Sequence, residues 1–157
     1  EDTFGNHKPK KSTPEMEFKN LCISDNGASV YEFSSQYHHE SRALNILLRD
    51  PTFVWFSSYH ESLPQHLTLK LDGRYRIRRV GVYLHGENPQ NPKEIEFLLG
   101  TDPSNLQVCK HAELEHRAGD HLFDLDSPVE AEYVSVRILQ NFGGSGIFVS
   151  KILAFCT

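Results

Sequence analysis

Apolar and polar residues alternate with a period of two along much of the chain from Leu67 onward. The segment Leu67–Leu71 has leucine at every second position, and Val80–Leu84 and Ile95–Leu99 repeat the alternation. This pattern is typical of a strand with one buried face. Further strands are predicted over shorter or less regular runs: 106–109, 121–125, 133–139 and 148–155.

Turn-forming residues separate these runs. They occur at 72–73, 86–89, 100–105, 118–120 and 143–146. Glycine, proline, asparagine and aspartate favour turns because of their backbone preferences and local hydrogen bonds. Seven or eight short strands at this spacing predict an all-β fold, an antiparallel β-sandwich. The one helical candidate covers Ser41–Leu48, where apolar residues recur at helical spacing.

The beginning of the chain differs in composition from the rest. Up to position 15 the residues are mostly polar, and Phe4 is the only large apolar one. Such a segment cannot bury enough apolar surface to become ordered alone. We therefore expect a polar leader or linker over residues 1–16 and a domain with one core over 17–157.

Charge and hydropathy exclude two classes of function. The formal net charge is −5, whereas general nucleic-acid binding needs clustered cations that release counterions. The dense basic run at 74–79 is interpreted as a solvated strand entrance. No window approaches the roughly 18 apolar residues of a membrane span. The sequence thus predicts no nucleic-acid partner and no membrane-spanning segment.

The most specific motif lies between positions 34 and 58. Ser34-Ser35-Gln36-Tyr37 is followed, after a gap, by Asn45–Trp55 and then by Ser57-Ser58. In order and spacing it resembles the opening of discoidin-type (coagulation-factor C-type) domains. The resemblance implies a galactose-binding-like jelly roll, in which Trp55 packs in the core. It also implies a binding module and not a catalyst.

Two strand segments are similar to one branch of this superfamily. Residues 63–71 and 76–84 resemble the calcium-free intracellular members: the DOC domain of the anaphase-promoting complex, the discoidin domain of muskelin, SUN domains, and the jelly roll of a centriole-tip, tubulin-binding protein. Lys93–Phe97 also resembles a strand of the last. This resemblance implies a protein partner inside the cell, in a cytoskeletal, ciliary or ubiquitin-ligase assembly.

The resemblance also locates the calcium site of the extracellular members. It places Leu48 at a carboxylate ligand, Arg49 at a glycine, Phe53 at a hydroxyl and Lys151 at a further acidic ligand. Calcium needs about six to eight oxygen ligands, and a leucine or an ammonium group supplies none. We expect no bound metal and no cofactor, with Leu48 packed into the core instead.

No residue pattern indicates catalysis. The nine histidines form no His-Glu-x-x-His motif and are interpreted as surface residues. Ser57, Ser58 and Ser145 lie outside any nucleophile-elbow sequence. We therefore predict that the protein is not an enzyme.

Cysteine usage leaves two states open. Many secreted discoidin domains join their termini by one disulfide, and the resemblance places Cys22 and Cys156 at such positions. The odd count leaves Cys109 over, and a domain of this length does not need a disulfide. Reduced, buried thiols are favoured over a Cys22–Cys156 bridge.

The loops at one end of the predicted sandwich are the candidate binding surface. They comprise 57–63, 85–92 and 141–147, because loops vary while strands bury alternate residues. Phe142 and Phe148 flank a glycine run, where a backbone can approach a partner closely. The candidate site residues are Tyr59, His60, His85, Glu87, Asn141 and Phe142.

Two functions lead for such a module, and a hydrolase built on the same fold is the weaker third. The leading hypothesis is a non-enzymatic protein-interaction domain of a cytoplasmic assembly, which the absence of Asn-x-Ser/Thr sequons favours. The alternative is a secreted, extracellular discoidin domain that binds carbohydrate or lipid. That alternative calls for a Cys22–Cys156 disulfide and an aromatic platform for the ligand.

Overall fold

A computed structural model describes residues 16–58 and 62–157, apart from the side chain of His39. The predicted leader therefore lies almost wholly outside the described residues, as do the predicted site residues Tyr59 and His60. Among the described residues, no helix is long and apolar enough to cross a bilayer.

The described chain consists of strands joined by short helical turns. The strands are β1 (Ser29–Phe33), β2 (Trp55–Phe56), β3 (Gln65–Leu84), β4 (Pro92–Gly100), β5 (Gln107–Glu113), β6 (Gly119–Asn141), β7 (Phe148–Val149) and β8 (Lys151–Cys156). The 3-10 helices are Met16–Phe18, Ser24–Asn26, His39–Ser41 and Ala43–Leu47. All strand pairs are antiparallel, which confirms the predicted all-β antiparallel β-sandwich.

Two long strands organise the sandwich. The main sheet has the order β1-β3-β6-β4-β5, with β8 also paired to β3, while β2 and β7 form a small second sheet. The prediction of a turn at Asp72-Gly73 is wrong, since β3 continues through it. The pairing of β3 with β6 instead shifts register between Lys70 and Tyr75. Such irregularities bend and twist a strand, so each half of β3 can pair with different neighbours.

The core follows the predicted alternation. Its fully buried members include Trp55, Leu67, Leu69, Phe97 and Val134. The prediction for Leu48 is wrong, because this residue is only half-buried. The 3-10 helix ends at Leu47 and Leu48 is extended, with φ −78° and ψ 148°. Leu48 thus leaves the helical face, and its predecessors Ile46 and Leu47 fill the core.

The amino-terminal segment covers the free edge of β8. Leu21 N–H donates to Ala154 O at 3.0 Å. The Asn20 side chain donates to Ile152 O at 2.9 Å and accepts from Ala154 N–H at 3.1 Å. Arg78, from the basic run, donates to the carbonyl oxygens of Glu17 and Cys156. Arg78 therefore links the first and last described segments of the chain.

The three cysteines are free thiols in the structure. Cys22 and Cys156 are buried, and Cys109 is partly buried. Burial raises the pKa of all three thiols, most strongly that of Cys22. A thiol with a raised pKa is protonated at neutral pH and is a weak nucleophile. Cys22 and Cys156 belong to the hydrophobic core, and Cys109 packs against it.

Candidate functional site

The loop 141–147, between β6 and β7, is shaped by the side chain of Asn141. Its Nδ2 donates to Gly144 O at 2.8 Å and to Gly146 O at 2.9 Å. Its Oδ1 accepts from Gly143 N–H at 3.0 Å. Both amide protons are thereby used inside the loop. We infer that Asn141 acts on the candidate site by holding this loop in shape.

Both the backbone conformation and the lack of room for a side chain require glycine at position 146. Its φ is +79°, in the left-handed region that side chains rarely adopt. A Cβ atom there would lie 2.9 Å from Cε1 of Phe56 and 3.1 Å from Ser57 O. The loop is therefore pressed closely against the end of β2.

Phe142 forms a stacked pair with His116. The two rings are nearly parallel, with an interplanar angle of 8° and centroids 4.2 Å apart. Lys93 Nζ lies 5.9 Å from the Phe142 centroid. Phe142 is half-buried, because these neighbours cover part of it. His116 itself is exposed, and no sequence signal singled it out as a partner of Phe142.

Hydrogen bonds tie this stacked pair to the loop between β3 and β4. Phe142 N–H donates to Pro89 O at 2.9 Å. His116 Nε2 lies 3.1 Å from Asn88 O and donates to it, since a carbonyl can only accept. Buried Asn91 closes the same loop by donating to Gly86 O at 2.8 Å. The predicted site residues His85 and Glu87 lie on this loop and are exposed.

Three aromatic residues, here called the aromatic trio, form a second group that is also linked to that loop. Tyr37 and Phe56 have ring centroids 5.2 Å apart, and Phe56 and Phe148 also 5.2 Å. Tyr37 N–H donates to Phe56 O at 2.7 Å, and Phe148 N–H donates to Gln90 O at 3.1 Å. The side chain of Tyr37 is 41% exposed. The sequence motif contained Tyr37 but did not indicate this grouping.

Lys151 is buried beside the loop that precedes β2. Its Nζ donates to Asp50 O at 3.1 Å and to Ser150 O at 3.3 Å. Desolvation lowers the pKa of Lys151, while the nearby charge of Asp50 acts in the opposite direction. The ammonium group thus supplies positive charge to carbonyl oxygens in the region where the resemblance placed a calcium ion.

We expect the stability of the domain to be independent of calcium. Thermal unfolding in millimolar calcium and in excess chelator should give the same midpoint, because an ion that bound only the folded state would raise it. Lys151 is the physical reason, since its ammonium group would repel a cation from the same carbonyl oxygens. A calcium-dependent rise in the midpoint would contradict this assignment.

The described residues contain no group of three or more histidine, cysteine, aspartate or glutamate side chains that could hold a metal ion. Ser57 has a structural role, because it is fully buried and its Oγ accepts from Ile147 N–H at 2.8 Å.

The interpretation of all the histidines as surface residues is wrong for His121. It is 3% exposed, and its Nε2 donates to Arg117 O at 3.0 Å.

Comparison with known proteins defines the fold. No protein-family model and no curated protein sequence matches the chain. Among solved structures, it is similar to a CBM32 module of Clostridium perfringens in complex with GalNAc-β-1,3-galactose, with TM-score 0.74 and 18% identity over 88% of this chain and 100% of that one. It is also similar to the family 32 module of C. perfringens NanJ in complex with galactose, with TM-score 0.73 and 14% identity over 87% and 97%.

The same fold occurs in an enzyme. Allantoicase from Saccharomyces cerevisiae matches with TM-score 0.71 and 15% identity, over 88% of this chain and 43% of that one. At these identities the likeness shows the fold alone. The chain is a galactose-binding-like jelly roll, as the discoidin resemblance implied, and its function has to be argued from its own surface.

Proposed function

We propose that this domain is a non-enzymatic carbohydrate-binding module, which holds its ligand at the loop end that carries Phe142. The observation that carries this proposal is the Phe142–His116 stack, fixed between the loop 141–147 and the loop from β3 to β4. An aromatic face carries partial negative charge and attracts the polarised C–H groups of a sugar ring.

Polar side chains lie on the loop that is hydrogen-bonded to this aromatic pair. His85 and Glu87 are exposed on the neighbouring loop, and Gln90 is half-buried beside Gly144. Ligand sites commonly combine aromatic walls with a few polar groups that set the orientation. The hydrogen bonds of Asn141, Asn91 and His116 hold the loops before any ligand arrives. Such preorganisation reduces the entropy lost on binding.

The structural comparisons support carbohydrate binding more than the leading sequence hypothesis. Two of the similar structures hold galactose-containing ligands, and neither comes from a cytoskeletal, ciliary or ubiquitin-ligase assembly. A carbohydrate-binding function also favours the extracellular setting of the alternative hypothesis. Cys22 and Cys156 are not joined by the disulfide that many secreted discoidin domains have. These thiols are buried and are not part of the proposed binding site.

Protein binding remains the second candidate, because one edge of the sheet exposes aromatic residues. In β1, which ends the strand order, Tyr31 is 50% and Phe33 is 40% exposed. An edge strand with exposed aromatic side chains is suited to an extended protein segment that adds to the sheet. This surface is distinct from the Phe142–His116 stack, so the two candidates can be tested separately.

Replacing Phe142 with alanine should weaken carbohydrate binding by about 1–3 kcal/mol, or roughly 5- to 150-fold. Isothermal titration with a sugar identified on a glycan array measures the effect. The unfolding midpoint should fall only slightly, because the ring is half-buried.

The control for this experiment is Phe18→Ala. Phe18 is 80% exposed in the segment that runs along β8 towards Cys156, at the other end of the domain. This variant should bind like the parent. If no carbohydrate on the array binds the parent domain, the proposal is overturned. Protein binding that is abolished by Phe33→Asp would then support the second candidate.

A further inference from the structure

The loop end carries a second aromatic surface besides the Phe142–His116 stack. This is the aromatic trio of Tyr37, Phe56 and Phe148. The ring centroid of Phe56 is 5.2 Å from that of Tyr37 and 5.2 Å from that of Phe148. Tyr37 is substantially exposed, and Phe56 and Phe148 are half-buried. The trio adds little to the enclosed core, since each member keeps part of its surface in solvent.

The two aromatic surfaces are both hydrogen-bonded to a single dipeptide. Phe142 N–H donates to the carbonyl oxygen of Pro89, and Phe148 N–H donates to that of Gln90. Consecutive Cα atoms are about 3.8 Å apart, so the backbones of Phe142 and Phe148 are held close together. Both aromatic surfaces are therefore anchored at Pro89-Gln90, and one extended ligand could contact both of them.

Gln90, in this dipeptide, is suited to a neutral polyhydroxy ligand. Gln90 lies against Gly144, where an added Cβ would be 2.9 Å from Gln90 Cδ. Within the described residues, the Gln90 amide makes no side-chain hydrogen bond. An amide can donate to one hydroxyl group and accept from another. Neither Gln90 nor the aromatic trio carries a formal charge, which suits a neutral sugar.

We propose that the aromatic trio is a second subsite, and that the ligand is a neutral oligosaccharide which extends from the Phe142–His116 stack across Gln90 to Tyr37. This inference rests on the proposed carbohydrate-binding function. Two linked contacts on one ligand raise affinity because the second contact becomes intramolecular. Affinity should therefore increase with ligand length, and Tyr37 should be required for that increase.

The test compares the parent domain with Tyr37→Ala and Tyr37→Phe on an array. The probes are galactose, N-acetylgalactosamine, glucose and N-acetylglucosamine, each as the monosaccharide and as linear oligosaccharides. Titration of the best-bound series then gives affinities. The parent should bind the oligosaccharides about tenfold or more tightly than the monosaccharide. Tyr37→Ala should remove this gain but keep the monosaccharide affinity, and Tyr37→Phe should restore it because the ring is retained.

Phe142→Ala provides the complementary comparison, since it should weaken the monosaccharide and the oligosaccharides alike. Equal affinity of the parent for short and long ligands, unchanged in Tyr37→Ala, would overturn the second subsite and leave the proposed function intact. Loss of monosaccharide binding in a folded Tyr37→Ala variant would also overturn it, because Tyr37 would then belong to the first site. No binding of the parent to any probe would overturn both proposals.

Discussion

Replacing Trp55 with alanine should lower the free energy of unfolding by about 3–5 kcal/mol, the range for a large aromatic residue removed from a core. Trp55 is fully buried, and its Nε1–H donates to Ser35 O at 2.8 Å. The substitution would leave a cavity and an unpaired carbonyl together. Urea unfolding followed by circular dichroism measures the change.

Trp55→Phe separates these two contributions, because it keeps most of the ring volume and loses the N–H group. It should cost about 1–3 kcal/mol, as expected for a buried acceptor that loses its donor. Ser35 also accepts from Ser58 N–H through its Oγ at 3.0 Å. Trp55 therefore helps to set where the chain enters the loop after β2. A loss below 1 kcal/mol in Trp55→Ala would show that Trp55 is not a principal core residue.

Replacing Asn141 with alanine should abolish detectable carbohydrate binding, a larger loss than that of Phe142→Ala. The variant would remove three hydrogen bonds that shape the loop 141–147. The free energy of unfolding should fall by about 1–3 kcal/mol, because the freed carbonyl groups are only partly shielded from water. Titration with the array-identified sugar and urea unfolding measure the two effects.

Asn141→Asp is the informative companion variant. It keeps the acceptor for Gly143 N–H but replaces two donated hydrogen bonds with a carboxylate beside the carbonyl oxygens of Gly144 and Gly146. It should therefore be at least as damaging as alanine. Asn105→Ala is the matched control, since Asn105 is exposed in the loop between β4 and β5. It should change neither binding nor stability.

The two measurements distinguish a loop-shaping residue from a ligand contact. If Asn141→Ala loses binding but keeps full stability, Asn141 contacts the ligand directly, as the sequence analysis suggested. If the variant keeps both, the hydrogen bonds of Asn141 do not determine the shape of the loop. Only a joint loss supports the role inferred from the structure.

The class of fold and most of the core can be predicted from the residue pattern alone. Leu67, Leu69 and Val134 alternate with polar neighbours, and all three are fully buried. Alternation is informative because successive side chains of a strand point to opposite faces. The prediction for Trp55 was also correct, since it is fully buried. These are local properties, which depend on residues close together in the chain.

The contacts that assemble the candidate site are tertiary, and no local pattern predicts them. Lys151 Nζ donates to Asp50 O, which is 101 positions earlier in the chain. Phe142 stacks on His116, which lies in the connection between β5 and β6. The continuation of β3 through Asp72-Gly73 likewise follows from its pairing with β6 and β8. Each of these contacts joins segments that are distant in the chain. Periodicity and turn propensity describe only neighbouring residues, so they could not show which side chains meet across these loops.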